Sequence, residues 1–323
     1  MSMNISTTNI TSAQVSNTIV ILNLLMNQFV NYLPLIFIIL GFIGFVGNAL
    51  TILQLELRSN TCCIYSLCGS IVDIISLFYN VLPLYLNKIY KIYIPWVNMG
   101  NLCKFHIFIV AFLPHLSINF LLMATIDRYA STCKLTSSIR HLSKIKMVPY
   151  LSSITIIFSC LASLRGIILY ENTSLGCTVI YPLINNILYI VLNCVMQPVA
   201  MLIFVVLTFQ NVQQSRQRAG GTNMTYLHHS RKQFITMIFT QVIVTAFILL
   251  PWAIMYMYNN ISANITKTSE QQTIINFVYW LTNHWFYLNN VKSFYLSILT
   301  SRLFRQTFLK ALIRLLPRDC KYQ

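Results

Sequence analysis

Long, nearly uncharged apolar runs alternate with short polar segments along this chain. Each run covers about 20 residues, which is the length that an α-helix needs to cross the hydrocarbon core of a bilayer. No internal repeat or inverted symmetry relates one run to another, in contrast to many two-fold transporters. The pattern predicts seven transmembrane helices, at approximately residues 33–55, 64–86, 105–126, 148–169, 183–209, 234–258 and 274–299.

The pattern changes after the seventh run. Apolar residues recur there at helical spacing on one face, and basic residues occupy the other: Leu303, Phe304, Phe308, Ala311, Leu312 and Leu315 against Arg305, Lys310 and Arg314. A helix of this kind lies in the membrane interface. We therefore predict an all-α membrane protein with one seven-transmembrane helix bundle over 33–300, an amphipathic cytoplasmic eighth helix over 302–316 and a tail over 317–323. Cys320 in the tail is a palmitoylation candidate.

Composition and charge support a membrane protein and give it an orientation. Apolar residues make up 56% of the chain and charged residues only 9%, with a mean hydropathy of +0.66, whereas soluble domains carry roughly 25% charged residues. The net charge is +16, but most basic residues fall on one side of the seven-helix arrangement. That bias favours topology and contact with anionic lipids over nucleic-acid binding. The basic residues on that side are Arg58, Arg128, Lys134, Arg140, Lys144, Lys146, Arg216, Arg218, Arg231, Lys232, Arg302, Arg305, Lys310, Arg314, Arg318 and Lys321.

By the positive-inside rule that side is cytoplasmic, so the chain is predicted to lie in the plasma membrane with residues 1–32 extracellular and the C-terminus inside. The N-terminal segment shows no pattern of a cleaved signal peptide. Glycosylation sequons in predicted outer segments begin at Asn4, Asn9, Asn172, Asn260 and Asn264.

Two of the nine cysteines, Cys103 and Cys177, fall at outer positions. If paired, they would hold the loop before the fifth run over the bundle in an oxidising compartment. The other cysteines face the reducing side or lie in apolar runs, and no metal-ligand spacing is present. The chain also lacks a Gly-rich phosphate loop and a nucleophile elbow, so we do not expect an enzyme.

Scarce ionisable residues mark candidate sites, because charge within or at the edge of a membrane is costly. The third run ends in Asp127-Arg128-Tyr129. Asp73 lies in the middle of the second run, where a carboxylate must be protonated, paired or bound to a cation. Asp73 is therefore either a neutral structural residue or part of a small-cation site, to which Ser117 and Asn289 would add oxygen atoms.

These features in this order resemble the rhodopsin-like class of G-protein-coupled receptors. The resemblance covers essentially the whole chain. It rests on Gly47-Asn48 in the first run, Asp73 in the second, Cys103 and Asp127-Arg128-Tyr129 at the two ends of the third, Cys177 before the fifth, Pro198 and Pro251 in the fifth and sixth, and the amphipathic helix after the seventh.

The resemblance implies a function for the charged triplet. Arg128 would meet a heterotrimeric G protein when the inner ends of the third and sixth helices separate, and Asp127 would hold Arg128 at rest through a charge-assisted pair. Asp73, Ser117 and Asn289 would form a pocket for an allosteric sodium ion. No other metal or cofactor is expected.

The chain departs from the family pattern at positions that normally couple ligand binding on the outer side of the receptor to G-protein contact on the inner side. The usual Trp before the sixth-run proline is Leu249, the usual Phe is Thr245, and Val206 replaces a tyrosine in the fifth run. Ser293-Phe294-Tyr295-Leu296-Ser297 stands in place of Asn-Pro-x-x-Tyr. The usual activation elements therefore cannot be assumed.

The ligand is expected to be a peptide or a small molecule. Amine receptors carry an acid at the position of Val110, so a monoamine is disfavoured. Lys292–Leu296 and Leu299–Arg305 resemble invertebrate neuropeptide receptors of the FMRFamide type. A cavity for the aromatic and amide groups of a peptide would be formed by His106, Val110, Tyr189, Trp252, Tyr256, His284 and Tyr287.

Two alternatives stay open. A chemosensory or lipid ligand would suit the acid-free outer halves of the runs. An ion transporter or channel could use Asp73 and Lys292 as charges within the membrane.

Overall fold

A computed structural model describes residues 5–92, 100–134, 136–173, 176–218, 225–262 and 265–315. The regular secondary structure of the described chain is helical except for one short hairpin. Its helices are α1 (Ile5–Gln28), α2 (Leu33–Ile52), α3 (Thr61–Ser76), α4 (Leu82–Tyr90), α5 (Gly100–Thr132), α6 (Val148–Ser163), α7 (Arg165–Ile168), α8 (Pro182–Tyr189), α9 (Gln197–Arg218), α10 (Thr225–Ile261), α11 (Ser269–Tyr287), α12 (Lys292–Thr300) and α13 (Arg302–Leu315).

Six helical segments of the described residues are long and apolar enough to cross a membrane. They are Asn17–Ile52, Thr61–Tyr90, Leu102–Thr132, Ile145–Ile168, Pro182–Ser215 and Ile235–Ile261. This content of apolar helix makes the chain a multi-pass, all-α membrane protein. The seventh predicted run is not among the six. Polar side chains lie along it, including Asn283, His284, Asn289, Asn290 and Lys292, and a 3-10 turn at Leu288–Asn290 separates α11 from α12.

The surface of α2 shows which residues are available to lipid. Ile36, Ile39, Phe42, Ile43 and Val46 are exposed. The opposite face, which includes Phe37, Gly41, Gly44 and Asn48, is buried against other helices. Water would penalise such an apolar stripe, whereas lipid tails would not. The exposed stripe therefore agrees with a membrane environment.

The N-terminal region differs from the sequence prediction. Residues 1–32 were predicted as an extracellular segment without assigned structure, but α1 covers Ile5–Gln28 and a 3-10 turn at Val30–Tyr32 leads into α2. Asn17–Ile52 would measure about 54 Å as one straight helix, which exceeds the roughly 30 Å hydrocarbon core. The apolar residues between Asn17 and Gln28 thus extend the first helical segment beyond its predicted start.

Two of the prolines follow directly on π-helical turns. Leu77–Val81 precedes Pro83, and Ile190–Met196 precedes Pro198. Proline lacks the N–H that would bond one turn back, and a widened turn accommodates that missing donor. Pro114 and Pro251 lie within α5 and α10, as the sequence predicted for prolines inside membrane helices.

Helix α5 occupies the centre of the bundle and contacts α3, α6, α9 and the hairpin. Its residues Leu113, Leu116, Phe120 and Ala124 are buried in the main hydrophobic core. We call the two ends of the bundle the hairpin end, near Cys103, and the basic end, near Arg128. About 21 residues of helix separate His106 from Asp127, or roughly 30 Å at 1.5 Å per residue.

The hairpin consists of β1 (Tyr170–Thr173) and β2 (Gly176–Val179), which pair antiparallel with Asn172 opposite Cys177. Cys177 is disulfide-bonded to Cys103 in the first turn of α5. The sequence predicted the position of this loop but not its strands. The disulfide joins the hairpin to the central helix.

Helix α13 packs across the basic end. Phe304, Thr307 and Ala311 are buried on one face of it. On its polar side Lys310 Nζ donates to Glu56 Oε1 at 2.8 Å, and Arg314 donates to Gln54 at 2.6 Å. The hydrogen bond from Lys310 lowers the pKa of the Glu56 carboxyl. Both groups are exposed, so this pair contributes little stability.

Candidate functional site

A cavity of about 420 Å³ lies at the hairpin end between α4, α5, α8, α10 and α11. This volume falls within the roughly 300–1,000 Å³ that small-molecule sites occupy. Six of the seven predicted ligand residues line the cavity: His106, Val110, Tyr189, Trp252, Tyr256 and Tyr287. Residues from distant parts of the sequence are thus brought together as expected.

His284 is the predicted ligand residue that does not line the cavity. It is buried, and its ring lies 6.0 Å from that of Trp280. Tyr279, Asn283 and Tyr287 form the cavity face of α11. At 100° per residue, His284 falls just beyond the edge of that face.

Hydrogen bonds between neutral groups order the aromatic wall of the cavity. Trp252 Nε1 donates to the Tyr189 hydroxyl at 2.7 Å, and Asn185 Nδ2 donates to the Tyr256 hydroxyl at 2.8 Å. The rings of Tyr189 and Tyr256 lie 4.7 Å apart. Buried Tyr and Trp side chains that satisfy their polar atoms in this way have fixed orientations, so the wall is preformed.

The hairpin closes one side of the cavity, since Tyr170 of β1 belongs to the lining.

We expect replacement of Cys103 and Cys177 together by Ser to destabilise the protein and to lower its affinity for any ligand of the cavity. The disulfide closes a loop of 74 residues, and chain entropy predicts that such a cross-link stabilises a protein by about 4 kcal/mol. This value is an upper limit here, because helices inserted in a membrane already restrict the loop.

The melting temperature of the purified variant measures this effect. Cys68→Ser is the matched control, because Cys68 is a free cysteine of α3. Equal melting temperatures for the double variant and the wild type would contradict the structural role of the disulfide.

A buried polar network lies directly beneath the cavity, and the sequence analysis did not predict it. His115 Nδ1 lies 2.8 Å from Asn193 Oδ1, and Gln197 Nε2 donates to Asn119 Oδ1 at 2.8 Å. Asn119 in turn donates to Ser159 at 2.8 Å. Gln197 Nε2 also donates to the His115 carbonyl at 3.2 Å and lies 3.1 Å from His115 Nδ1. The isolated amides within apolar runs were the only sequence signal for this network.

The three predicted sodium-pocket residues lie together, but Lys292 lies with them. Ser117 donates to Asp73 Oδ1 at 2.5 Å. Lys292 Nζ donates to Asn289 Oδ1 at 2.8 Å and to the Asn289 carbonyl at 3.1 Å. All four residues line a cavity of about 30 Å³, which is room for roughly one water molecule. The positive charge of a lysine therefore faces the carboxyl group of Asp73 across a very small space.

At the basic end, the Asp127 carboxylate forms several hydrogen bonds. Arg128 Nη2 lies 3.0 Å from Asp127 Oδ2, and their side chains are 13% and 1% exposed. Thr61 donates to Asp127 Oδ1 at 2.6 Å, and Ser143 donates to the same oxygen at 2.9 Å. Arg128 also donates to Asn60. The adjacent acid and base thus form a charge-assisted pair that is held by the start of α3 and by the loop after α5.

The third residue of the triplet faces another helix. The Tyr129 ring lies 5.6 Å from the Phe204 ring of α9. The contacts of Arg128 therefore involve α3, whereas those of Tyr129 involve α9.

No family model and no curated protein matches the chain.

Polar residues connect the sixth and seventh predicted spans at positions where the sequence departs from the pattern of the receptors that it resembles. Gln241 donates to Ser297 at 3.1 Å and to the Ser293 carbonyl at 3.3 Å. Thr245 bonds back to the Gln241 carbonyl at 2.7 Å. Ser297 is thus the direct partner of α10. Leu249 is buried in the apolar core, and Val206 is exposed.

The modification candidates have different positions. Asn172 is exposed on β1. Asn260 is half-buried at the end of α10, where its amide donates to the Tyr256 carbonyl at 2.8 Å. Asn9 lies in α1. Asn4, Asn264 and Cys320 lie outside the described residues.

Proposed function

We propose that this chain is a rhodopsin-like G-protein-coupled receptor with a bundle of seven membrane-spanning helices and α13 as its interfacial eighth helix. The hairpin end would be extracellular, and the basic end would face a heterotrimeric G protein at the inner side of the plasma membrane. A neuropeptide is the proposed agonist class, and a chemosensory or lipid ligand is the alternative.

The observation that carries this proposal is the buried Asp127–Arg128 pair at the far end of the helix that also lines the aromatic cavity. One element thus contacts both sites, about 30 Å apart. A ligand that favours one arrangement of the bundle could change the population of states in which Arg128 is released.

The seventh span of this proposal would consist of α11, the turn at Leu288–Asn290 and α12. Asn290 of that turn donates to Ser76 at 2.8 Å, and Tyr295 donates to the Leu40 carbonyl at 3.0 Å. These bonds join the interrupted segment to α2 and α3. Its backbone break lies within protein rather than against lipid, which is the situation in which membrane helices tolerate breaks.

The proposal predicts that Asp127→Asn raises ligand-independent activity. The neutral side chain removes a charge-assisted bond to Arg128, which is worth roughly 1.5–3 kcal/mol and shifts a two-state equilibrium about tenfold or more. The measurement is guanine-nucleotide exchange on purified G protein with the receptor in nanodiscs.

Glu56→Gln is the matched control, because Glu56 is also an acid of the basic end but pairs with Lys310. Exchange should stay at the wild-type level in that variant. If neither the wild type nor Asp127→Asn stimulates exchange on any class of G protein, the proposed function is wrong.

A further inference from the structure

The cavity at the hairpin end contains an arginine whose partners are all neutral. Arg165 is the first residue of α7, is half-buried and lines the cavity. Its Nη1 lies 3.4 Å from Asn185 Oδ1, and its guanidinium carbon lies 5.0 Å from the centre of the Tyr189 ring. A bond of 3.4 Å is long for an arginine, so this contact can be exchanged at little cost.

No carboxylate balances the charge of Arg165 within the described residues. The ion pairs there join Arg128 to Asp127 and Lys310 to Glu56. The described lining of the cavity contains neither Asp nor Glu. A charge that is half-buried in a cavity is screened less than one in bulk water, so without a counter-charge it attracts ions of the opposite sign.

A second basic group lies beside the cavity. Lys88 Nζ is 4.8 Å from the centre of the Trp280 ring, and Trp280 belongs to the lining. Lys88 is exposed, so its contribution is screened by salt, but it has the same sign as that of Arg165. Arg165 within the cavity and Lys88 at its edge thus place two positive charges near the same aromatic wall.

The backbone fixes the place of Arg165. Gly166 packs directly on α5, where an added Cβ would lie 2.9 Å from the backbone nitrogen of Phe108. A larger residue would push α7 away from the cavity. Asn185, which receives the Arg165 bond, is itself held by the Tyr256 hydroxyl. The backbone of Arg165 is thus fixed at the cavity before any ligand binds, which reduces the ordering cost of binding.

We propose that the cavity binds an organic anion whose carboxylate pairs with Arg165 while its apolar body lies against the aromatic wall. The planar guanidinium can give a carboxylate two parallel hydrogen bonds. As an account of the agonist this inference rests on the proposed receptor function. It also changes the expected ligand, because an amidated peptide has no terminal carboxylate, whereas a peptide with a free C-terminus or a fatty acid does.

The test uses matched acids and amides on the purified full-length chain in nanodiscs of neutral lipid. The probes are N-acetyl-Leu-Phe as free acid and as amide, and dodecanoic acid with dodecanamide. Thermal stabilisation as a function of probe concentration gives the apparent affinity. We expect at least one acid to bind roughly tenfold or more tightly than its amide, as a charge-assisted bond predicts.

Arg165→Gln should remove that preference, and Arg165→Lys should keep part of it, since lysine retains the charge but not the two-point geometry. Lys91→Gln is the matched control. It removes a basic residue of the hairpin end that is exposed and does not line the cavity. The control should keep the wild-type preference.

The inference is wrong if acid and amide bind equally, if neither acid binds, or if Arg165→Gln retains the preference. If Arg165→Gln does not fold, the Arg165→Lys result decides, because an unchanged preference in that variant contradicts two-point pairing. Binding is measured without G protein. Acids that bind through Arg165 would support the anion site even if neither the wild type nor Asp127→Asn ever stimulates nucleotide exchange, so failure of the receptor function and failure of the anion site are distinguishable.

Discussion

Arg128→Ala is expected to reduce receptor-stimulated nucleotide exchange to the background level while the chain still reaches the cell surface. Under the proposed function, the guanidinium leaves Asp127 and Asn60 and donates to the G protein in the active state. Truncating one partner of a buried, hydrogen-bonded charge pair costs roughly 2–5 kcal/mol, which corresponds to a loss of about thirtyfold or more. Ligand-stimulated exchange together with surface labelling measures the effect.

The truncation also leaves Asp127 buried without its cation, so stability has to be measured in the same variant. Arg58→Ala is the matched control, because Arg58 is an exposed arginine of the basic end. It should couple normally. Normal coupling by a well-expressed Arg128→Ala protein would falsify the role assigned to this arginine.

A comparably large effect is expected when one charge of the Asp73–Lys292 cavity is removed. Asp73→Asn leaves the lysine without an opposing charge, and Lys292→Met leaves the carboxyl group alone. Either change should destabilise the protein by roughly 3–5 kcal/mol, the usual cost of an uncompensated buried charge. The double variant has no charge in the cavity, so its melting temperature should exceed that of both single variants.

The effect of sodium on the melting temperature shows whether Lys292 or a bound sodium ion supplies the positive charge beside Asp73. In the wild type, Lys292 already donates to Asn289 Oδ1, so replacing choline chloride by sodium chloride should not change the melting temperature. In Lys292→Met the oxygens of Asp73, Ser117 and Asn289 become free for a cation. Sodium should then stabilise the protein. Sodium-dependent stability in the wild type, and none in Lys292→Met, would reverse this assignment.

The sequence predicted most of the helices because membrane burial imposes a simple length rule. Runs of about 20 apolar residues became helices at nearly the predicted positions, since every backbone group in lipid must bond within its own segment. Boundaries differed where that rule is weakest. Residues 17–28 are apolar enough to continue the first helical segment, and polar residues around Asn289 interrupt the last one.

The candidate sites could be predicted where a charged residue lies in an apolar run, because burying a charge there costs free energy. Asp127, Arg128 and Asp73 are rare charges in apolar surroundings, and their partners had to be near. The prediction that His284 lines the cavity was wrong. Periodicity places a residue on a helix, but it does not fix the direction of its side chain around the helix axis to within a few tens of degrees. Arg165 was visible as a basic residue within an apolar run, but the sequence could not show that it lines a cavity with no acid among its described residues.

The sequence by itself determined that this chain is an all-α membrane protein, because the length of a hydrophobic run is a local property. Only the tertiary structure decided that Lys292 faces the Asp73 carboxyl, that Gln241 joins Ser297, and that Arg165 lines an aromatic cavity whose described lining contains no acid. Each of these facts depends on side chains that are far apart in sequence, and their distances are set by how the helices pack.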